Sequence, residues 1–165
     1  MTFYVFISGC CRIINKLSMI KEISFSEIFY VWNTYLWPNR NSPIESNSAM
    51  VFLGGFEMRN MTTTPTFFGY FVNHQLVGVN SGHRCIDNGY RSRGVYVFPE
   101  YRKRQIGKQL LEATINQGRK EQCNFVWSFP RKTSWNTYKS AGFSLVGDWE
   151  KSETSEANAY CIIEL

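Results

Sequence analysis

Val95-Tyr96-Val97-Phe98-Pro99-Glu100-Tyr101-Arg102-Lys103-Arg104-Gln105-Ile106-Gly107-Lys108-Gln109-Leu110-Leu111 is the stretch from which the rest of the chain can be read. Tyr90 to Phe98 has strand character and stops at Pro99. A helix follows from about Arg104 to Lys120, with Ile106, Leu110, Leu111, Ala113 and Ile115 on its buried side. Between them lies a short basic loop. The first N–H groups of a helix have no partner within it and carry the positive end of its dipole, so an anion can be seated there. Gly107 permits a close backbone approach, and Arg102, Arg104 and Lys108 can add charge-assisted contacts. Together these features suit a pyrophosphate. A run of charge also reads as a solvated helix face, and the stretch alone leaves both readings open.

Upstream of it, Thr66 to Val72 and Leu76 to Gly82 form a hairpin across Asn73-His74-Gln75, and Cys85 to Gly89 is a loop. Residues 19–24 are a first strand. Ser24 or Ser26 caps a helix from Ser26 to about Leu36, with a stripe of Ile28, Phe29, Val31, Trp32, Tyr35 and Leu36, and Pro38 stops it. Residues 38–49 form a loop; 50–62 is ambiguous, with Gly54-Gly55 arguing against one long helix. Downstream come a strand over Asn124–Phe129, a short helix Ser134–Ala141 closed by Gly142, a short strand Ser144–Gly147 and a last strand Asn158–Leu165. The order predicts an α+β domain around a mixed sheet. Residues 19–165 are assigned to that single domain. Residues 1–18 are set apart as an N-terminal extension of uncertain role, because Met19 opens the first strand.

A chain of 165 residues with 44% hydrophobic and 16% aromatic residues can bury one sizeable core. The formal net charge of +5 suggests an anionic partner without naming it. The five cysteines, Cys10, Cys11, Cys85, Cys123 and Cys161, are odd in number and include no C-x-x-C; they read as reduced thiols of a cytoplasmic protein. His74 and His83 have no paired spacing, so no metal site is expected. No apolar run approaches the roughly 18 residues of a membrane span.

The quoted stretch resembles the acyl-CoA-binding motif of the GNAT superfamily of N-acetyltransferases, V-x-P-x-Y-R-G-x-G-x-G-x-x-L-L. Val97, Pro99, Tyr101, Arg102, Gly107, Leu110 and Leu111 match; Lys103 and Gln105 stand where the family has glycines. The Gln105 side chain could crowd the pyrophosphate, or its amide could contact it. A second segment, Trp135 to Phe143, is similar to the family's Y-x-x-x-G-F, with Tyr138, Gly142 and Phe143 in register. The family's asparagine ahead of that tyrosine falls on Arg131, so its contact is not carried over; Arg131 or Lys132 could meet a CoA phosphate or face solvent.

The resemblance implies a GNAT-like acyl-CoA N-acyltransferase fold: three layers, with a mixed, mostly antiparallel sheet flanked by helices. It implies acetyl-CoA as cosubstrate, with no metal. Val95, Tyr96 and Val97 would line the pantetheine arm, and residues Arg102, Lys103, Arg104, Gln105, Ile106, Gly107 and Lys108 the pyrophosphate. The reaction implied is direct attack of a primary amine on the thioester, with Tyr138 as general acid. Many relatives carry a glutamate base on the fourth strand, but Tyr90-Arg91-Ser92-Arg93-Gly94 has none. His83 is the preferred candidate, since an unperturbed imidazole titrates near neutrality; Asp87, Glu100 and a water relay are the alternatives. Trp37, Asn39, Arg40 and Glu45 would wall the acceptor pocket on one side. A loop with Asp148, Glu150, Glu153 and Glu156 would wall it on the other, and is either a lure for a cationic amine or a solvated turn.

The rival reading is a non-catalytic GNAT-like module that binds CoA or nucleic acid. Gln105 and the missing carboxylate favour it, and Tyr138 opposes it. The enzyme reading expects an amine-bearing acceptor, neither membrane nor nucleic acid as partner, and leaves a homodimer open.

Overall fold

The computed structural model describes residues 17–152 and 155–165, so most of the N-terminal extension, with Cys10 and Cys11, lies outside the described residues. The strands are β1 (Ser18–Glu22), β2 (Met50–Val51), β3 (Gly55–Phe56), β4 (Thr66–Val72), β5 (Gln75–Arg84), β6 (Gly89–Val97), β7 (Phe125–Ser128), β8 (Ser144–Ser152) and β9 (Ser155–Glu164). The helices are α1 (Phe25–Val31), α2 (Ile106–Lys120) and α3 (Trp135–Ser140). Seven strands form one sheet in the order β1-β4-β5-β6-β7-β9-β8, and β2-β3 is a separate hairpin. All neighbours in the large sheet are antiparallel except β6 and β7, which run parallel.

Alternation along β4 sets the layering. Phe68, Tyr70 and Val72 pack with Ile106 and Leu110 of α2, while Phe67 packs with Ile28, Val31 and Trp32 on the opposite face. Tyr138 and Phe143, at α3, join Leu111 and Ile115 of α2. The sheet is therefore covered on both faces, the three-layer α+β architecture implied by the GNAT resemblance.

Ser24 caps α1 through a reciprocal capping box: the Glu27 N–H donates to Ser24 Oγ at 3.3 Å, and the Ser24 N–H to Glu27 Oε2 at 2.8 Å. The expected single helix divides after Val31. Trp32–Leu36 is a π-turn, closed by the Trp37 N–H donating to the Trp32 carbonyl at 2.7 Å. That wider turn brings the rings of Trp32 and Trp37 to 5.2 Å, centroid to centroid. The ambiguous 50–62 segment is the β2–β3 hairpin followed by a 3-10 turn, Met58–Thr62. Buried Asn47 ties the preceding loop to this region, its Nδ2 donating to the carbonyls of Asn60 (2.8 Å) and Thr63 (2.7 Å).

Two boundaries differ from the sequence reading. α2 begins at Ile106, because Lys103 and Gln105 both hold φ at +60°, left-handed values that a right-handed helix cannot include. β8 and β9 extend into the expected acidic loop, placing Asp148 and Glu150 within β8 and Glu156 within β9, while Glu153 lies outside the described residues. β8 is an edge strand, where charge is tolerated because one side of the strand stays in water. Cys85, Cys123 and Cys161 are free and buried. Among the described residues, no helix is long and apolar enough to cross a membrane.

Candidate active site

The parallel ladder between β6 and β7 is short, pairing Gly89, Tyr90 and Arg91 with Phe125, Val126 and Trp127. Beyond it the strands part. β6 also carries an irregularity against β5, between Ser81↔Arg93 and Val79↔Tyr96. Gly94 sits in this bulge with φ +75°, and a Cβ there would lie 2.4 Å from Trp32 Nε1. The Trp32 indole N–H donates to the Gly94 carbonyl at 2.8 Å, fixing the bend. A cleft of about 280 Å³ opens where the strands separate, with Arg91 to Val95 on one side and Ser128 to Arg131 on the other. Leu36, Trp37, Arg40 and Ser48 contribute a third wall, and Tyr138 reaches it from α3.

Arg91 and Arg93 occupy alternate positions of β6. Arg93 is only 7% exposed. One of its guanidinium nitrogens donates to the Glu45 carbonyl at 2.7 Å, and its Cζ lies 4.8 Å from the Trp32 ring and 5.2 Å from the Trp37 ring. Arg91 donates to Ser48 Oγ and lies 4.9 Å over the Trp127 ring, yet its buried Nε has no partner. Burial pushes Arg91 down to about 10 and, together with the neighbouring Arg91 charge, Arg93 to about 9; both stay cationic at neutral pH. Among the described residues, neither makes an ion pair with a carboxylate.

Tyr138 is 3% exposed, and burial raises its pKa above the ordinary tyrosine value, so it stays protonated at neutral pH. Ser128 Oγ lies 2.9 Å from the Ser92 carbonyl and 3.2 Å from the Tyr138 hydroxyl. A hydroxyl has one proton. The Ser128 hydroxyl therefore serves the Ser92 carbonyl or the Tyr138 oxygen one at a time, as donor to each. Tyr138 keeps its own proton, with Ser128 placed to donate to its oxygen.

At the far end of β6, a 3-10 turn (Pro99–Tyr101) leads to α2. No side chain caps α2, and among the described residues the N–H groups of Ile106, Gly107 and Lys108 have no acceptor. These free amides fit a diphosphate. Lys103 and Gln105 occupy the glycine positions of the motif and keep the glycine-like backbone, so the turn survives the substitutions. The side chains are less uniformly available. Arg102 Nε donates to the Val97 carbonyl at 2.9 Å, Arg104 lies 5.4 Å over the Tyr101 ring, and Lys108 pairs with Glu112 at 3.6 Å. Ile106 is buried, leaving only its amide for a ligand. Gly107 has a packing reason of its own: a Cβ there would lie 2.8 Å from Thr137 Cγ2 of α3. On the β6 edge, Val95 lines the cleft, whereas Tyr96 stacks on Tyr35 with centroids 6.0 Å apart.

His83 is fully buried on β5, away from the cleft lining, and neither ring nitrogen has a partner. Desolvation, reinforced by the Arg91 and Arg93 charges, pushes it down to about 3, so it is neutral and feebly basic at pH 7. The Asp87 carboxylate accepts the Gly89 N–H at 3.0 Å in its own turn, and Glu100 is exposed. No histidine, aspartate or glutamate is among the residues that line the cleft. Among the described residues the charged lining is basic, with Arg40, Arg91, Arg93 and Arg131, while Glu153 of the expected acidic wall lies outside the described residues. The sequence reading took 90–94 only for the glutamate it lacks. The available signal was two arginines spaced by two on a strand, which places both on one face. The Trp32–Trp37 cradle was not legible, because it depends on the π-turn.

Residues 26–143 match the profile of the acetyltransferase (GNAT) family. No curated protein matches the chain in sequence. Among solved structures, Escherichia coli ElaA is similar with a TM-score of 0.67 and 15% identity, over 90% of this chain and 100% of that one. An acetyltransferase of the GNAT family from Staphylococcus aureus is similar with a TM-score of 0.63 and 17% identity, over 90% and 99%. A Bacillus subtilis acetyltransferase in complex with CoA is similar with a TM-score of 0.58 and 10% identity, over 92% and 99%.

Proposed function

Because the chain belongs to the GNAT family of acetyltransferases, we propose that it moves the acetyl group of acetyl-CoA onto a primary amine held in the β6–β7 cleft. The observation that carries this reading is a continuity. One strand, β6, borders the cleft beside Tyr138 and leads directly to the uncapped first turn of α2. A diphosphate seated on those amides would direct the pantetheine arm along the unpaired edge of β6, as an added strand would lie.

The thioester supplies the acetyl group. The amine nitrogen attacks its carbonyl carbon, the C–S bond breaks, the nitrogen gives up its extra proton to water, and the sulfur departs as the thiolate or takes a proton as it leaves. The β6 edge from Val95 to Val97 offers backbone donors to the oxygen that gains charge. Tyr138, protonated and within reach of Ser128, hydrogen-bonds the leaving sulfur and gives it a proton. The Arg91 charge favours the tyrosinate that this transfer leaves. A primary ammonium, with a pKa of about 10.4, must first lose a proton. Deprotonation falls to water, aided by Arg91 and Arg93, because like charge nearby disfavours the ammonium form.

Thermal melting with and without acetyl-CoA is the first test, since a ligand specific to the native state raises the melting temperature. No shift at millimolar acetyl-CoA overturns the reading. Tyr138→Phe should keep that shift while lowering kcat by about a hundredfold, the scale of lost acid catalysis. An unchanged kcat in that variant removes Tyr138 from the chemistry.

A further inference from the structure

We infer that the acceptor amine carries an oxyanion of its own, a carboxylate or a phosphate, which docks on Arg91 and Arg93. This names the substrate class of the cleft and rests on the acetyl-transfer reading above.

The first ground is the cleft's charge inventory. Among the described residues its lining includes four arginines, Arg40, Arg91, Arg93 and Arg131, and no acidic side chain. A polyamine, or a lysine flanked by other cations, would meet repulsion on entering. An amine that also carries an anion would meet a net attraction, and the same arginines would ease loss of its ammonium proton.

The second ground is the condition of the two inner arginines. Guanidinium groups taken out of water are costly unless ion-paired. Among the described residues they hold only neutral partners: the Ser48 hydroxyl, the Glu45 carbonyl and the faces of Trp32, Trp37 and Trp127. The Glu45 carboxylate is exposed and acts on Arg93 only through space. Arg91 retains a buried Nε with no partner. The pair also sits at i and i+2 of one strand, so each raises the cost of the other. The neutral partners act as a cradle: they fix both forks and leave the charge uncompensated. Guanidinium forks match carboxylate and phosphate oxygens in a bidentate manner.

The third ground separates this site from the seat of the CoA phosphates. Arg91 is six residues from Val97 along β6, roughly 20 Å at about 3.3 Å per residue. The free amides of α2 lie further still along the chain, beyond the 3-10 turn. One diphosphate cannot satisfy both, so the cleft's charge is left for the acceptor.

The test uses matched amines at saturating acetyl-CoA: glycine against glycinamide, O-phosphoethanolamine against ethanolamine, and cadaverine as the cationic member. Two quantities are read, thiol release and the melting shift each amine adds in the presence of CoA. The anionic member of at least one pair should be favoured by about tenfold or more in kcat/KM or in affinity, the scale of a charge-assisted hydrogen bond. The favoured pair tells carboxylate from phosphate. Arg91→Met and Arg93→Met should each erase the preference. Both should melt no lower than the parent, because an apolar side chain replaces a desolvated, unpaired charge. Equal response to both members of every pair, or preference for ethanolamine, glycinamide or cadaverine, overturns the inference, as does a preference that survives in both folded variants. An acetyl-CoA shift without anion preference sinks the inference alone. Anion preference in the melting shift without any acetyl-CoA effect leaves the anion site standing and sinks the transfer reading.

Discussion

The two ends of β6 carry similar charge under opposite physical conditions. From Gly89 to Arg91 the strand is flanked by β5 on one side and β7 on the other, and Arg93 just beyond is buried among tryptophans. From Val95 onward it has left β7, and it ends in a loop where Arg102, Lys103 and Arg104 are exposed. In the loop, charge is hydrated and screened over about 8 Å at physiological salt, so it attracts phosphate without discriminating finely; the fixed α2 amides provide the geometry. In the cleft, the water around the guanidinium groups has been replaced by one hydroxyl, one carbonyl and three indoles. Charge there is costly, oriented and selective. Net basicity therefore says little about role: the exposed end suits a cosubstrate common to a family, and the buried end an acceptor particular to this chain.

The joint between the ends is Gly94, and changing it should give the largest effect. Gly94→Ala forces a side chain into φ +75°, which costs about 1–2 kcal/mol. It also drives the new Cβ to within 2.4 Å of Trp32 Nε1, and overpacking of a fixed core typically costs about 1–3 kcal/mol. Trp32 cannot withdraw freely, because it donates to the Gly94 carbonyl and faces Arg93. A loss of about 2–5 kcal/mol, or roughly 10 °C in melting temperature, is expected. If Gly94→Ala melts like the parent, the bulge is not rigid and the two ends are not held as distinct environments.

His83 sharpens the description of the buried end. Its imidazole is held at about 3 in the fold by burial and by the Arg91 and Arg93 charges, against an ordinary value near 6.5 in the unfolded chain. The folded-state value is depressed, so the stability it confers is complete above pH 6.5 and is lost as pH falls from 6.5 toward 3. The slope is about 1.4 kcal/mol per pH unit, giving roughly 2 kcal/mol by pH 5. Arg91 and Arg93 keep their protons throughout that window. His83→Phe removes the titration at little packing cost, because neither ring nitrogen has a partner to lose. Urea unfolding at pH 7 and pH 5 should show a smaller difference in the variant; an equal difference would mean that this end of the strand is wetter than its packing implies.

The fold was legible where a single strand or helix face had a single task. The apolar stripe of α2 could be read from sequence because a core face imposes a period, and the β4–β5 hairpin because Asn73-His74-Gln75 separates two strand-forming runs. What failed to show depended on backbone detours: the π-turn after Val31, the bulge at Gly94, and the long β8–β9 hairpin whose edge tolerates charge. The candidate site divides the same way. The cleft tyrosine and the α2 turn could be found from short motifs. Arg91, Arg93 and their tryptophan cradle could not, since Trp32 and Trp37, Glu45 and Ser48, and Trp127 come from three separate segments. His83 is the reverse case: a residue type suited to catalysis, on a strand buried on both faces from Val77 to His83.

The smallest effect belongs to the exposed end, and it separates two roles for one side chain. Gln105 holds φ +60° at a position where the motif has glycine. Gln105→Gly relieves a left-handed strain of about 1 kcal/mol, but the added freedom of the unfolded chain returns about 0.5–1 kcal/mol, so stability should barely move. Acetyl-CoA affinity is the informative readout. If the side chain merely crowds the diphosphate, calorimetry should show binding tightened by up to about fivefold, worth roughly 1 kcal/mol. Weaker binding would show that the glutamine amide touches the ligand, so that this end too has a residue of its own for recognition. In that case the contrast between a shared end and a particular end of β6 would have to be redrawn, with the buried arginines as one of two selective elements.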